Sequence, residues 1–287
     1  MFQRIFDRIG TGWELMKQSF GVLRHDKELV LFPVMSGIAC LLVVVSFAVP
    51  LWSMPWFRHA VENRDVQQNP VMWALLFAFY VVNYFVVVFF NAALVSCALK
   101  RLAGGDPTIG YGISEAMSRL PQIAAWALVS GTIGFLLKAI ESKNEKLGSL
   151  VASLFGAAWA IATYFVVPVL VVEKVGPWEA LKRSTSLIRR TWGEALVGNM
   201  GIGLVIFVAM LPGIAMIVLG IAVAAATSQV AFTVAGVVAG AIWLLGASLV
   251  SAAAQSVLLT ALYLYASAGT VPSQFDAALL QKAFAKK

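Results

Sequence analysis

Six runs of apolar residues separated by short polar stretches set the plan of this chain: 29–52, 71–99, 122–140, 147–172, 195–226 and 231–266. Each is long enough to cross a bilayer core of about 30 Å, which takes ~20 helical residues. They are read as helices, because an open strand edge in lipid would leave backbone groups unpaired. Runs two, five and six exceed one upright crossing and are expected to tilt, kink or project into the interface. In the fifth, Pro212 removes a backbone donor and Gly213 loosens the turn, so a hinge is expected there.

A second pattern precedes the odd-numbered runs. Phe2, Ile5, Ile9, Trp13, Met16, Phe20 and Leu23 recur every three or four residues, the mark of one helical face. Gly10 and Gly12 are expected to split that helix. Trp178, Leu181, Ile188 and Trp192 make a similar face, and Lys182/Arg189 and Arg183/Arg190 repeat at seven residues on the other side. A weaker version spans 113–122 and contains Pro121. These stretches predict helices lying in the membrane interface, aromatic side down and cations toward head groups. The first and last match at an offset of 165 residues: Trp13/Trp178, Glu14/Glu179, Lys17/Lys182, Ser19/Ser184 and Arg24/Arg189. Glu115-Ala116-Met117 parallels Glu179-Ala180-Leu181. The chain therefore reads as one integral membrane domain built on a threefold unit, about 1–99, 100–173 and 174–287, each an interfacial helix followed by a transmembrane hairpin.

Composition strengthens the membrane reading. The 287 residues are 60% hydrophobic and 12% charged, with a mean hydropathy of +0.85. Soluble domains carry about 25% charged residues. The net charge of +7 would raise nucleic acid as a partner in a soluble protein. Here the cations flank apolar runs, and no base-reading motif is present, so nucleic acid is not expected. Sixteen Lys and Arg fall in the N-terminal arm, the second and fourth connections and the tail, against five in the other connections. By the positive-inside rule both termini are cytoplasmic.

Cys40 and Cys97 lie inside apolar runs and read as packing residues, while His25 and His59 stand apart. No metal site and no cofactor are expected. No cleavage site follows the first apolar run, so a cleaved leader is not expected.

Chemistry is sparse. No charge falls near the centre of a span, which removes the usual machinery of proton-coupled transport. Glu173 sits at the boundary of the fourth run and is expected to pair with nearby cations. Asn83 and Asn91, eight residues apart, lie within ~80° on a helix. Tyr80 and Tyr84 extend that strip, and Asn199 and Gln255 add amides in runs five and six. Two readings are open: interhelical hydrogen bonds that fix packing, or the lining of a polar cavity. Small residues recur every four positions at Gly148, Ala152, Gly156 and Ala160, and again at Gly236 and Gly240. They suit close helix packing within one chain or between copies. Metalloprotease, nucleophile-elbow and phosphate-loop motifs are absent, and no base stands near a serine or threonine in the spans, so no enzyme activity is expected.

The Trp-Glu segment before a span, together with Pro168, Glu173 and Trp178-Glu179-Ala180-Leu181-Lys182-Arg183-Ser184, resembles six-pass bacterial inner-membrane proteins grouped only as a domain of unknown function. The Pro–Glu–Trp region is also similar to the membrane domain attached to some glycerophosphodiester phosphodiesterases. The resemblance implies a bacterial inner-membrane location and an all-helical domain. It does not imply phosphodiesterase activity, because the sequence carries none of that family's soluble catalytic domain.

The expected fold is all-α, a polytopic bundle of six transmembrane helices with three interfacial amphipathic helices on the cytoplasmic side. The expected function is a non-enzymatic inner-membrane module that interacts with anionic lipid, a partner membrane protein or a second copy of itself, and organises membrane or envelope components. Head-group contacts would come from Trp13, Lys17, Arg24, Trp178, Lys182, Arg183, Arg189, Arg190 and Trp192. The rival is a channel or transporter for a small neutral or anionic solute, using Tyr80, Asn83, Tyr84, Asn91, Asn199 and Gln255 with the break at Pro212.

Overall fold

The computed structural model describes residues 2–55, 57–58, 70–143, 147–191 and 198–284; for 2–9, 142–143, 147, 190–191, 198–202 and 282–284 it gives the helix but no side-chain environment. The described residues are mainly helical, with no strand among them. In chain order the helices are α1 (Phe2–His25), α2 (Leu31–Ser53), α3 (Pro70–Leu102), α4 (Ile109–Ser118), α5 (Leu120–Lys143), α6 (Leu147–Ala162), α7 (Val166–Glu173), α8 (Pro177–Thr191), α9 (Gly198–Thr227), α10 (Val230–Ala268) and α11 (Ala277–Phe284). A short 3-10 turn, Lys27–Val30, leads into α2.

Six segments are long and apolar enough to cross a membrane: Lys27–Ser53, Pro70–Leu102, Leu120–Glu141, Gly148–Glu173, Gly203–Thr227 and Val230–Ala268. The protein is a multi-pass membrane protein with transmembrane helices. Large apolar side chains such as Leu41, Leu42, Leu154, Phe155, Leu219 and Leu245 are more than half exposed on these helices. In water they would be destabilising; in lipid they face their solvent.

Packing divides the chain into two compact units, one of residues 1–30, 101–105 and 189–287, the other of 31–100 and 106–188. In the first, α1 packs against α9, α10 and α11. Gly10 and Gly12 do not split α1, which runs unbroken from Phe2 to His25. Its buried face is Gly12, Leu15, Met16, Ser19, Val22 and Leu23. Packing of this face against protein outweighs the weak helix propensity of the glycines. The excess length of the sixth span has a related explanation. Ser251 to Tyr263 of α10 carry most of that helix's buried residues, whereas Val230 to Val250 are mostly exposed.

Spans five and six meet along a glycine seam. A Cβ on Gly220 would lie 2.7 Å from the Cα of Gly236, and one on Gly240 would lie 2.6 Å from the carbonyl oxygen of Gly213. Gly236 and Gly240 thus serve packing within the chain. The expected unwinding at Pro212 is not observed: α9 is helical through Pro212 and Gly213. The indole of Trp243 donates to the carbonyl of Ala209 at 2.9 Å, one turn before the proline. The carbonyl that Pro212 leaves without its helical donor is that of Val208, and the Trp243 bond falls on the next residue of the same turn, where a neighbouring helix braces the segment.

In the second unit, Gly131 of α5 faces Val81 of α3, and Gly134 faces Tyr80 and Tyr84. Aromatic edges fill the contact, with Phe135 against Trp73 and Phe77. Residues Ala92–Ala98 of α3 are all buried. The fourth span departs from one continuous helix: it stops at Ala162 and restarts at Val166.

Candidate functional site at the break in span four

The break needs its backbone groups accounted for, because each unpaired one in a membrane interior costs several kcal/mol. The last bond of α6 is Thr163 N–H to Trp159 at 2.9 Å, and the first of α7 is Val169 N–H to Phe165 at 3.0 Å. Between them Tyr164 N–H donates to Ile161 and Val166 N–H donates to Thr163. Phe165 N–H donates to the Oγ of Ser184, on α8, at 3.1 Å. The same hydroxyl donates to the carbonyl of Ala162 at 2.7 Å. Ser184 is fully buried, so one side chain bonds a backbone donor and a backbone acceptor at the break. Pro168 fits this arrangement: as the third residue of α7 it falls among N–H groups that have no intrahelical partner anyway.

The other end of α7 is also held. The last carbonyls of a helix carry partial negative charge and attract cations. Arg119 Nε donates to the carbonyl of Val171 at 3.3 Å. Arg183 Nε donates to the Glu173 carboxylate at 3.1 Å, so Glu173 is a boundary residue paired with a cation. Lys174, with φ 58°, ends α7 in the left-handed region. One helix, α8, therefore holds α7 at both ends, through Ser184 and Arg183.

The outer side of α8 carries a different set. Trp178 is 69% exposed, and Lys182 Nζ lies 5.8 Å from the centre of its ring. At 100° per residue Trp178, Lys182 and Arg189 fall within ~40° of arc. All three are exposed, while Ala180, Ser184, Leu187 and Ile188 form the buried face opposite. The expected division, with aromatics down and cations on the other side, is therefore corrected: the exposed tryptophan shares the cations' side, and Ile188 faces protein. Arg183, grouped with the head-group cations by sequence, is turned toward Glu173. Trp192 lies outside the described residues, and so does the side chain of Arg190.

The same arrangement occurs on α1. Trp13, Lys17 and Arg24 are exposed on one side, and Ser19 is fully buried on the other. From Trp13/Trp178 to Arg24/Arg189 the two helices agree in burial at every matched pair except Met16/Leu181. Both carry an exposed Glu–Lys pair one turn long, Glu14–Lys17 at 3.9 Å and Glu179–Lys182 at 4.0 Å. The third version follows only in part. Ala116 is buried like Ala180, and Arg119 reaches the end of α7 as Arg183 does, but α4 ends at Ser118 before a serine counterpart is reached. Tyr111 on this helix lies under Lys100 Nζ at 4.3 Å. Burial, then Glu115 and Cys97, hold its hydroxyl above the usual tyrosine range.

The polar strip proposed for a cavity is placed as follows. Tyr80 and Tyr84 stack on each other at 6.4 Å and pack against Gly134. Asn83 donates to the carbonyl of Phe79 in its own helix at 3.0 Å. Asn91 is half-buried, Gln255 is exposed, and the side chain of Asn199 lies outside the described residues. A groove of about 350 Å³ opens between α2 and α3, but apolar residues line it, among them Phe47, Trp52, Phe57 and Phe79.

Sequence reading did not anticipate the pair formed by Asp26 and Arg101. Asp26 follows α1 and is 7% exposed; both guanidinium Nε and Nη2 of Arg101 donate to its carboxylate. The carbonyl of Arg101 accepts from Gln274, and Gln18 accepts from the N–H of Asp276, so α1 is tied to the segment before α11. No local signal joins residues 75 positions apart; charged residues beside the ends of apolar runs were the available hint.

No curated protein matches the chain. A family model matches residues 70–273, which include the broken span, the helix α8 and the glycine seam. The match does not support a likeness to glycerophosphodiester phosphodiesterases. The chain belongs to the family of unknown function DUF6159.

Proposed function

We propose that this is a non-enzymatic module of the bacterial inner membrane, with both termini cytoplasmic, that holds anionic lipid head groups on two equivalent stripes: Trp13, Lys17 and Arg24 on α1, and Trp178, Lys182 and Arg189 on α8. The observation that carries the reading is the shared burial pattern. Two helices 165 residues apart expose the same tryptophan, lysine and arginine while burying the opposite side. Packing alone accounts for the buried sides. It leaves unexplained an exposed tryptophan beside two cations in each helix. Tryptophan anchors at the acyl boundary, and each cation near an anionic surface contributes about 1 kcal/mol. The excess of Lys and Arg on this side supports the cytoplasmic orientation. The threefold unit is part of the reading, in a degenerate form: α1 and α8 retain the stripe, and α4 retains only the anchor.

Transport is the weaker reading. Broken spans do build substrate sites in transporters, but the open backbone groups of this one are taken by Ser184. The test replaces Lys17, Arg24, Lys182 and Arg189 with Gln and purifies the variant from membranes containing phosphatidylglycerol. The expected result is normal insertion with at least tenfold less co-purified phosphatidylglycerol relative to neutral lipid. Unchanged retention by a correctly inserted variant overturns the reading.

A further inference from the structure

We infer that the groove between α2 and α3 seats one acyl chain of a glycerophospholipid, with the phosphate of that lipid held at the groove's mouth by Arg58. The site is separate from the stripes on α1 and α8 and does not rest on the reading given for them.

Two helical faces build the groove without filling the space between them. Val44, Ala48 and Leu51 share one face of α2, and Met72, Leu75 and Phe79 share one face of α3. The other side of α3 is occupied, since Trp73 and Phe77 meet Phe135 of α5. Phe32 is the one buried residue of α2, so this helix keeps its groove face for something other than tight protein packing. The rings of Phe47 and Phe79 meet edge to face at 5.6 Å and bridge the two helices. From Val44 to Trp52 the groove follows α2 for about 12 Å, and from Met72 to Phe79 it follows α3 for about 10 Å. One leaflet of the bilayer core is about 15 Å deep, so the groove runs most of the depth of a single leaflet. Its volume of about 350 Å³ is within the range of ligand pockets, roughly 300–1,000 Å³. Water is a poor occupant, because it needs several polar partners and this lining is apolar apart from one indole N–H. Left empty, the groove would forfeit dispersion contacts on both walls. Hydrocarbon is the surrounding solvent, and a chain seated here touches two helices where a chain against a lone span touches one. Charge sets the polar end. Arg58 is exposed and directly follows Phe57, a lining residue at the end where α2 leaves its apolar run. Trp52, 64% exposed, lines the same end, as tryptophan does at head-group level. A guanidinium there complements a phosphate and can donate to two of its oxygens.

The test reconstitutes the full chain with phosphatidylcholine that carries a photoreactive diazirine midway along one acyl chain. After illumination and digestion, label is expected to be several-fold denser on residues 44–57 and 72–79 than on 214–223, an exposed stretch of α9. Ala48→Trp, which fills the groove from an exposed position, is expected to abolish that excess. Leu75→Trp fills it from the facing wall and carries the same expectation if Ala48→Trp does not insert. Arg58→Gln is expected to lower the phosphatidylcholine retained through detergent washing about fivefold, the share of one cation near a phosphate. Replacing Lys17, Arg24, Lys182 and Arg189 with Gln is expected to leave the groove label unchanged. Label no denser on the groove than on 214–223 overturns the proposal, because the lipid there is then ordinary surrounding lipid. Label that persists in a correctly inserted Ala48→Trp variant overturns it as well. Loss of the label in the four-Gln variant but not in Ala48→Trp assigns the lipid to the stripes and removes the groove as a site.

Discussion

The helices α1 and α8 are alike outside and different inside. Each exposes Trp, Lys and Arg in one stripe, and each buries a serine on the opposite side. The serines do unlike things. Ser19 donates to the carbonyl of Leu15 in its own helix, at 3.1 Å, a bond that asks nothing of a neighbour. Ser184 reaches out of its helix to close a gap in another. The anchors differ too: α1 is followed by the largely buried pair of Asp26 with Arg101, whereas α8 is held by Arg183 and Glu173, whose side chains are 38% and 26% exposed. On the proposed reading, alike outer sides over differently bonded inner sides put the common requirement at the stripes, and each helix's interior bonds answer to what that helix packs on.

Experiments can strain this comparison at three depths. The largest effect should come from the anchors. Asp26→Ala leaves a mostly buried guanidinium without its carboxylate and is expected to lower stability by about 3 kcal/mol. Glu173→Ala, at a more exposed pair, should lower it by about 1 kcal/mol or less. Thermal unfolding in detergent reads both; equal losses would erase the difference between the anchors. The serines come next. Ser184→Ala should destabilise by about 1–2 kcal/mol, because it removes two buried hydrogen bonds between helices. Ser19→Ala should be near neutral, since it removes only a back-bond within the helix. A larger loss at Ser19 would reverse the assignment of roles. The outer stripes should give the smallest and most similar effects. Lys17→Gln with Arg24→Gln, and Lys182→Gln with Arg189→Gln, should leave unfolding almost unchanged. Each pair should reduce retention of anionic lipid by a comparable factor, weaker in high salt. A loss confined to one helix would show that the resemblance of the two surfaces is not functional.

Much of this fold was legible in the sequence, for a simple reason: lipid demands a continuous apolar run, and continuity can be read directly. The six runs agree with the six spans, with boundary differences of a few residues except where the fifth begins. Local breaks were less legible. Pro212 and Gly213 drew attention, yet α9 continues through them because Trp243 and a tightly packed partner helix hold the segment. The real break, at Thr163–Phe165, contains neither Pro nor Gly. Pro168 three residues on was its available signal. A proline marks helix restarts as well as kinks, and which one applies depends on whether a neighbour supplies the missing partners. The stripe residues could be named from their spacing. Their shared side could not be fixed while Trp178 was grouped with Leu181 and Ile188 on one membrane-facing apolar side, because hydrophobicity alone does not tell a side chain that faces the interface from one that packs on protein. Arg183 was misplaced for a related reason: its partner, Glu173, lies on a different helix.

The glycine seam between α9 and α10 bears on how the chain enters the bilayer. Only Ser228 and Gln229 separate the two helices, and Ser228 takes a positive φ of 55° to turn the chain. So short a connection keeps the two spans neighbours once both have been made, and favours their packing as a hairpin with backbones in contact at Gly220 and Gly236. A chain that ended before the sixth span would leave the glycine surface of the fifth turned to lipid, without the partner that its close packing is shaped for.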